Sequence, residues 1–113
     1  MNNNVIKTDY GYEIVWADTE WYCSKILVFE KTNQKTSLHF HKKQDKSWFV
    51  NAGKFRVQWV DTADGKSYAK ELPEGGTFHV PALMPVTLES LADNSAMAET
   101  SNSNDPDDLY RLN

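Results

Sequence analysis

A chain of 113 residues predicts one domain, 1–113, with a core large enough to fold unaided. Its 40% hydrophobic and 25% charged residues are those of an ordinary globular protein, and a net charge of −4 argues against nucleic acid or an acidic membrane as the main partner. A single cysteine, Cys23, cannot close an internal disulfide and has nothing beside it to activate a thiol, so it reads as buried filler in a chain that fits a reducing compartment or is indifferent to redox. The opening stretch MNNNVIKTDYGYE holds no long apolar run, which predicts neither a signal peptide nor a membrane span and makes the cytoplasm the expected location.

Beyond it the chain is a succession of short apolar runs: YEIVWA (12–17), WYCSKILVFEK (21–31), TSLHFH (36–41), SWFVNAG (47–53), KFRVQWVD (54–61), SYAKEL (67–72), TFHVP (77–81), VTLESLA (86–92) and AMAETS (96–101). They alternate in polarity or are rich in β-branched and aromatic residues. Turn clusters such as EKTNQKT, DTADGK, LPEGG and ADNS separate them. Helical spacing of apolar positions is absent from every window of about 11 residues or more. The pattern predicts an all-β fold, an antiparallel sandwich or barrel spanning about 10–101, followed by an extended tail over 102–113 docked by Leu109, Tyr110 and Leu112.

Period-two alternation assigns the faces. His39 and His41 share one side of their strand and Leu38 and Phe40 the other. Lys46, Trp48 and Val50 lie opposite Phe49 and Asn51, and Phe55, Val57 and Trp59 form an apolar row against Lys54, Arg56 and Gln58. His79, between Phe78 and Val80, faces away from the core. Two histidines one residue apart on a strand are how a metal site begins, yet the lysines that follow, Lys42, Lys43 and Lys46, repel a cation. No glycine-rich phosphate loop opens a helix and no nucleophile elbow is present.

The spacing of these residues resembles that of the cupin superfamily, whose fold is a double-stranded β-helix or jelly-roll barrel. The first cupin motif runs glycine, five residues, His-x-His, three or four residues, Glu, six residues, glycine. This chain has Asn33, then His39-Phe-His41, then Lys46 and Gly53 at the same spacing. The second motif, glycine, five residues, proline, x, glycine, two residues, histidine, is matched by Gly75 and Pro81, with Leu83 and Val86 at the later positions. Asparagine tolerates the left-handed conformation that the glycine serves. Lysine for glutamate reverses a charge.

Within the superfamily the chain is similar to mannose-6-phosphate isomerase-like (type II) cupins, on YGYEIVWADTEWY, SLHFHKKQDKSWFVNAG, LPEGGTFHVPALMP and DPDDLYRL. The resemblance implies a homodimer and a role in polysaccharide or nucleotide-sugar metabolism, with a small-molecule ligand, a sugar phosphate or similar anion, held in the barrel. It implies one divalent metal (manganese, nickel, zinc or iron) on His39 and His41, completed by Gln44, unless the site works metal-free. Lys46 would hold a phosphate as a point charge, with Trp48 and Arg56 lining the substrate path. Two readings of function follow. In one, His39 or His41 moves a proton while Lys46 or a metal stabilises the enediolate of a sugar-phosphate isomerisation. In the other, the chain is a non-catalytic small-molecule-binding cupin with a degenerate metal site.

Overall fold

The alternating runs pair into two antiparallel sheets in the computed structural model, which describes residues 4–113. The strands are β1 (Val5–Thr8), β2 (Gly11–Asp18), β3 (Cys23–Phe29), β4 (His39–Phe40), β5 (Lys46–Ala52), β6 (Lys54–Val60), β7 (Ser67–Pro73), β8 (Thr77–Val80), β9 (Val86–Ser90), β10 (Ser95–Ser101) and β11 (Tyr110–Arg111). Six of them form one sheet in the order β1-β2-β3-β10-β5-β8, and five form the other, β11-β4-β9-β6-β7. The chain crosses between the sheets repeatedly, and the two inner faces close on one core in the arrangement of a jelly roll.

The core comes from the inward row of each strand. Leu27 and Phe29 of β3, Trp48 and Val50 of β5 and Met97 of β10 meet Phe55 and Val57 of β6, Leu72 of β7 and Val86 and Leu88 of β9. Phe29 is stacked on Tyr10 at 4.1 Å between ring centroids and meets Phe55 edge-on at 5.1 Å. Each such side chain, fully removed from water, contributes roughly 1.5–3 kcal/mol. Cys23 is buried among these strands, and burial pushes its thiol pKa up, as expected of an inert filler.

Gly53 links β5 to β6 at a φ of 76°, and a Cβ there would overlap Ser95. Only glycine fits. Asn33 adopts the left-handed conformation at φ 66°.

Three features depart from the expected elements. The histidine strand is reduced to two residues, because Thr36 runs beside β9 with its hydroxyl, in place of a backbone carbonyl, accepting from the Leu88 N–H at 3.1 Å. A further strand, β1, pairs with β2 ahead of the expected barrel. The tail is held by Tyr110, whose ring stacks on Phe40, while Leu109 and Leu112 stay exposed; the expected leucine docking is replaced by β11 pairing with β4.

Candidate functional site

The inner face of the six-stranded sheet changes character along its strands. One inward row, Leu27, Met97 and Val50, is apolar; the next row toward the other end, in register across β3, β10 and β5, is Lys25, Glu99 and Trp48. Lys46 stands one further step along β5, only 5% exposed. Its ammonium lies 3.4 Å from Glu99 Oε1 and 5.2 Å from the Trp48 ring centroid. The Trp48 indole N–H donates to the same Glu99 oxygen at 2.9 Å. Burial pushes the Glu99 carboxyl up, but the ammonium groups of Lys46 and Lys25 and the indole bond outweigh it, and the net shift is downward. Behind this pair Lys25 meets Glu13 at 3.4 Å, and the Tyr10 hydroxyl donates to Glu13 at 2.6 Å. Burial, then the Glu13 charge, push the Tyr10 pKa up, so the phenol keeps its proton.

From the opposite sheet, β4 brings in the histidines. His39 is buried and pairs in register with Val86, the residue at the expected third-histidine position. His39 Nδ1 is 2.7 Å from the Ser37 carbonyl. A carbonyl can only accept, so Nδ1 carries the proton and Nε2 keeps its lone pair. The His41 ring is half-buried and lies edge-on to it at 5.6 Å between centroids. Burial first, then the Lys46 charge, lower both imidazole pKa values, that of His41 to about 4. Both rings are therefore neutral at pH 7, kept so first by burial and then by the neighbouring lysine.

The loop after His41 is pinned by the tail. The Asp108 carboxylate accepts from the backbone N–H groups of Lys42, Lys43 and Gln44, each at 3.0 Å in its shortest contact. Three consecutive amides around one carboxylate form an anion nest, here filled from within the chain. On the facing rim Leu83 holds a φ of 73°, and its N–H donates to the His41 carbonyl. Leucine thus keeps the left-handed geometry of the glycine that the cupin motif has here.

His39, His41, Lys46 and Trp48 come together as the sequence suggested, but two expected members do not join them. The Gln44 amide nitrogen donates to the Ser103 carbonyl at 2.8 Å, which ties its side chain to the tail. Arg56 is on the outer face of the five-stranded sheet, bonded to Glu71 at 3.1 Å, because Phe55 and Val57 on either side point inward. The substrate-path role read for Arg56 is corrected accordingly. Asp45 and His79 also pair outside, at 2.9 Å.

Glu99 is the residue that sequence reasoning missed. Its signal was present in AMAETS, where Met97, Glu99 and Ser101 alternate with Ala96, Ala98 and Thr100: if the methionine faces the core, so does the glutamate.

A divalent metal in a cupin barrel is held by histidines and a carboxylate. Here two imidazoles face a buried ammonium, Val86 offers no donor, and the Glu99 carboxylate is already engaged by Lys46 and Trp48. Among the described residues no group of three or more His, Cys, Asp or Glu side chains is placed to hold a metal ion. The donor set does not fit the family's metal. Two concavities, of about 560 and 410 Å³, lie outside the barrel, one over Phe49 and Ala98 and one between β2 and Asn104.

Two sheets closed around one core, with a His-x-His segment at one end, define the jelly-roll class of β barrels. The Cupin family model matches residues 24–109, and the chain belongs to that family. Solved structures agree on the fold. Oxalate decarboxylase from Bacillus subtilis at pH 4.6 superposes with a TM-score of 0.84 at 19% identity, over 98% of this chain and 30% of that one. CapF in complex with 3-isopropenyl-tropolone gives 0.82 at 17% identity, over 96% and 33%. The chain thus spans about a third of the length of these structures. No curated protein matches it. No helix among the described residues is long and apolar enough to cross a membrane.

Proposed function

We propose that this cupin binds a small anionic metabolite of the sugar-phosphate kind at the charged end of its barrel without a resident metal, and that it binds its ligand rather than turning it over. The observation that carries the reading is the Lys46–Glu99 pair. An ammonium occupies the position of the family's acidic ligand and supplies a fixed positive charge beside two neutral imidazoles. At 3.4 Å its contact with Glu99 is longer than the 2.7–2.9 Å or so of a tight charge-assisted bond, and lysine has about three N–H donors to share. A phosphate or carboxylate oxygen can take one of them, and sugar hydroxyls can donate to the imidazole lone pairs. The partly open His41 is the way in.

The same electrostatics argue against isomerisation. A histidine whose conjugate acid has a pKa of about 4 is a poor base near neutrality, so removal of a carbon-bound proton gains little from His41.

The test is calorimetry on chelator-treated protein with mannose 6-phosphate and a panel of sugar phosphates, alongside an isomerase assay with and without manganese, nickel, zinc or iron. The expected result is binding of a sugar phosphate without metal, lost in the Lys46→Met/Glu99→Gln double variant, and no turnover. The double variant keeps the interior neutral and retains an acceptor for Trp48. Metal-dependent turnover abolished by His41→Ala, or near-stoichiometric metal that disappears in His39→Ala/His41→Ala, would overturn the proposal, as would an absence of binding across the whole panel.

A further inference from the structure

Every backbone N–H from Lys42 to Asp45 is held by a side chain of the tail. Asp108 takes those of Lys42, Lys43 and Gln44, and the Asn102 side chain takes that of Asp45 at 3.0 Å. In return the Gln44 amide donates to the Ser103 carbonyl at 2.8 Å, and the Asn102 amide to the Lys43 carbonyl at 3.2 Å. Toward the rest of the barrel the loop is tied by the Leu83 N–H on the His41 carbonyl and by the exposed Asp45–His79 pair.

Loop and tail also make the same crossing. Ser101 lies beside Lys46 where β10 meets β5, and Tyr110 lies beside Phe40 where β11 meets β4. Residues 102–109 therefore pass from one sheet to the other across the charged end, alongside the loop that joins Phe40 to Lys46.

What fastens the tail is polar. From 102 to 113 the only buried residue is Asp108, at 3% exposure. The Tyr110 ring stacks on Phe40 at 5.2 Å, and β11 is two residues long. A segment with so little buried apolar surface opens at less cost than the core. When closed it also leaves the Ser103 hydroxyl buried without a protein partner, a group that opening hydrates. Burial pushes the Asp108 carboxyl pKa up, but the three amide bonds outweigh it and the net shift is downward. A charged group on three donors is a strong contact, yet one side chain carries it.

We propose that residues 102–113 form a strap that gates the charged end of the barrel, with Asp108 as its latch. Strap and loop lift as one unit, uncovering His41 and, behind it, His39 and Lys46, and close when Asp108 returns to the three amides. Lys42 and Lys43 ride on the moving loop, exposed at the rim, where their charge steers an anion inward. That the opening admits an anionic metabolite rests on the proposed function; the opening itself does not.

Amide hydrogen exchange by NMR on the full chain tests the unit, with circular dichroism as the check on fold. The N–H groups of Lys42, Lys43, Gln44, Asp45 and Leu112, the last bonded to the Leu38 carbonyl, should share one opening and exchange at least about 100-fold faster than those of β10 at the centre of its sheet. Asp108→Asn keeps an acceptor and removes the charge, and should speed their exchange about tenfold. Tyr110→Ala loosens the strap at the Phe40 stack and should act in the same direction. Leu27→Ala, in the apolar core, should speed exchange in β10 and leave the strap's unchanged, because it weakens the closed and the open forms alike. Diethylpyrocarbonate with peptide mass spectrometry reads the gate: His39, 8% exposed, should be modified about tenfold faster in Asp108→Asn and no faster in Leu27→Ala. Strap amides as slow as those of β10, strap exchange that quickens with Leu27→Ala, or His39 modification indifferent to Asp108→Asn would each overturn the inference. All of this is measured without ligand, so a failure of sugar phosphates to bind would count against the proposed function and not against the strap.

Discussion

The interior of this barrel has two ends built on opposite principles. At one, Phe29, Val50, Phe55, Leu72 and Met97 are buried to 1% exposure or less with no polar partner to satisfy. At the other, further along β3, β5 and β10, Lys25, Lys46 and Glu99 meet buried His39 and half-buried His41 from the facing sheet. The apolar end gains free energy from every side chain removed from water. The charged end must offset the desolvation of each ion with a partner, and replacing one member leaves the rest uncompensated. The first end holds the fold together, and the second carries the residues of the proposed site.

Breaking the ion pair has the largest expected effect. Glu99→Gln leaves the Lys46 ammonium buried without its counter-charge and should cost about 3–5 kcal/mol, as much as Phe55→Ala at the apolar end. Lys46→Met/Glu99→Gln should recover most of that loss, because no buried charge is stranded. Urea unfolding of the three variants measures this. A Glu99→Gln penalty below about 1 kcal/mol would mean that water already reaches Lys46, and the contrast between the ends would collapse.

Acid sharpens the comparison. His41 titrates at about 4 in the folded chain, against an ordinary 6.5 when unfolded. Between those values the unfolded state binds the proton and the folded state does not, so stability falls as the pH drops from 6.5 toward 4 and this contribution levels off below. His39, also lowered, and Glu99, likewise shifted down, act in the same direction. Proton NMR of the imidazole resonances gives the folded values directly, and Lys46→Met should move both histidines upward. A His41 midpoint near 6.5 would remove the closed environment beside Lys46 on which the site rests.

The smallest effect is at the rim. Leu83 keeps a left-handed φ of 73° with its side chain 55% exposed, so it bears backbone strain and contributes little packing. Leu83→Gly should stabilise by roughly 0.5–1 kcal/mol, the relief of strain exceeding the added chain entropy of the unfolded state. Thermal unfolding would reveal it as an increase in Tm of a few degrees.

Much of this contrast was legible beforehand where it depends on alternation. Phe55, Val57 and Trp59 face inward opposite Arg56, and His39 and His41 share a face, as period two requires. The same alternation already set Arg56 against the core row, and assigning it to the ligand path overrode that signal. The resemblance implies Gln44 as a metal ligand, but the strand begins only at Lys46 and the tail takes the Gln44 amide. Leu109 and Leu112 looked like anchors by hydropathy alone, whereas the tail is held by hydrogen bonds and one aromatic stack.

By itself, then, the sequence determined the β architecture, the inward rows, the left-handed position at Asn33, and the substitution of Lys46 and Val86 into a metal-binding pattern. These are local properties: strand period, turn chemistry and spacing act over a few residues. The tertiary structure alone decided that Glu99 would meet Lys46. Strand β10 inserts between β3 and β5, and residues 53 apart in the chain become neighbours across a sheet, a pairing no local pattern encodes. It decided equally that the outward rows of β1, β2, β3, β10 and β5 would line up into one apolar face, since a row across strands exists only once their register is fixed.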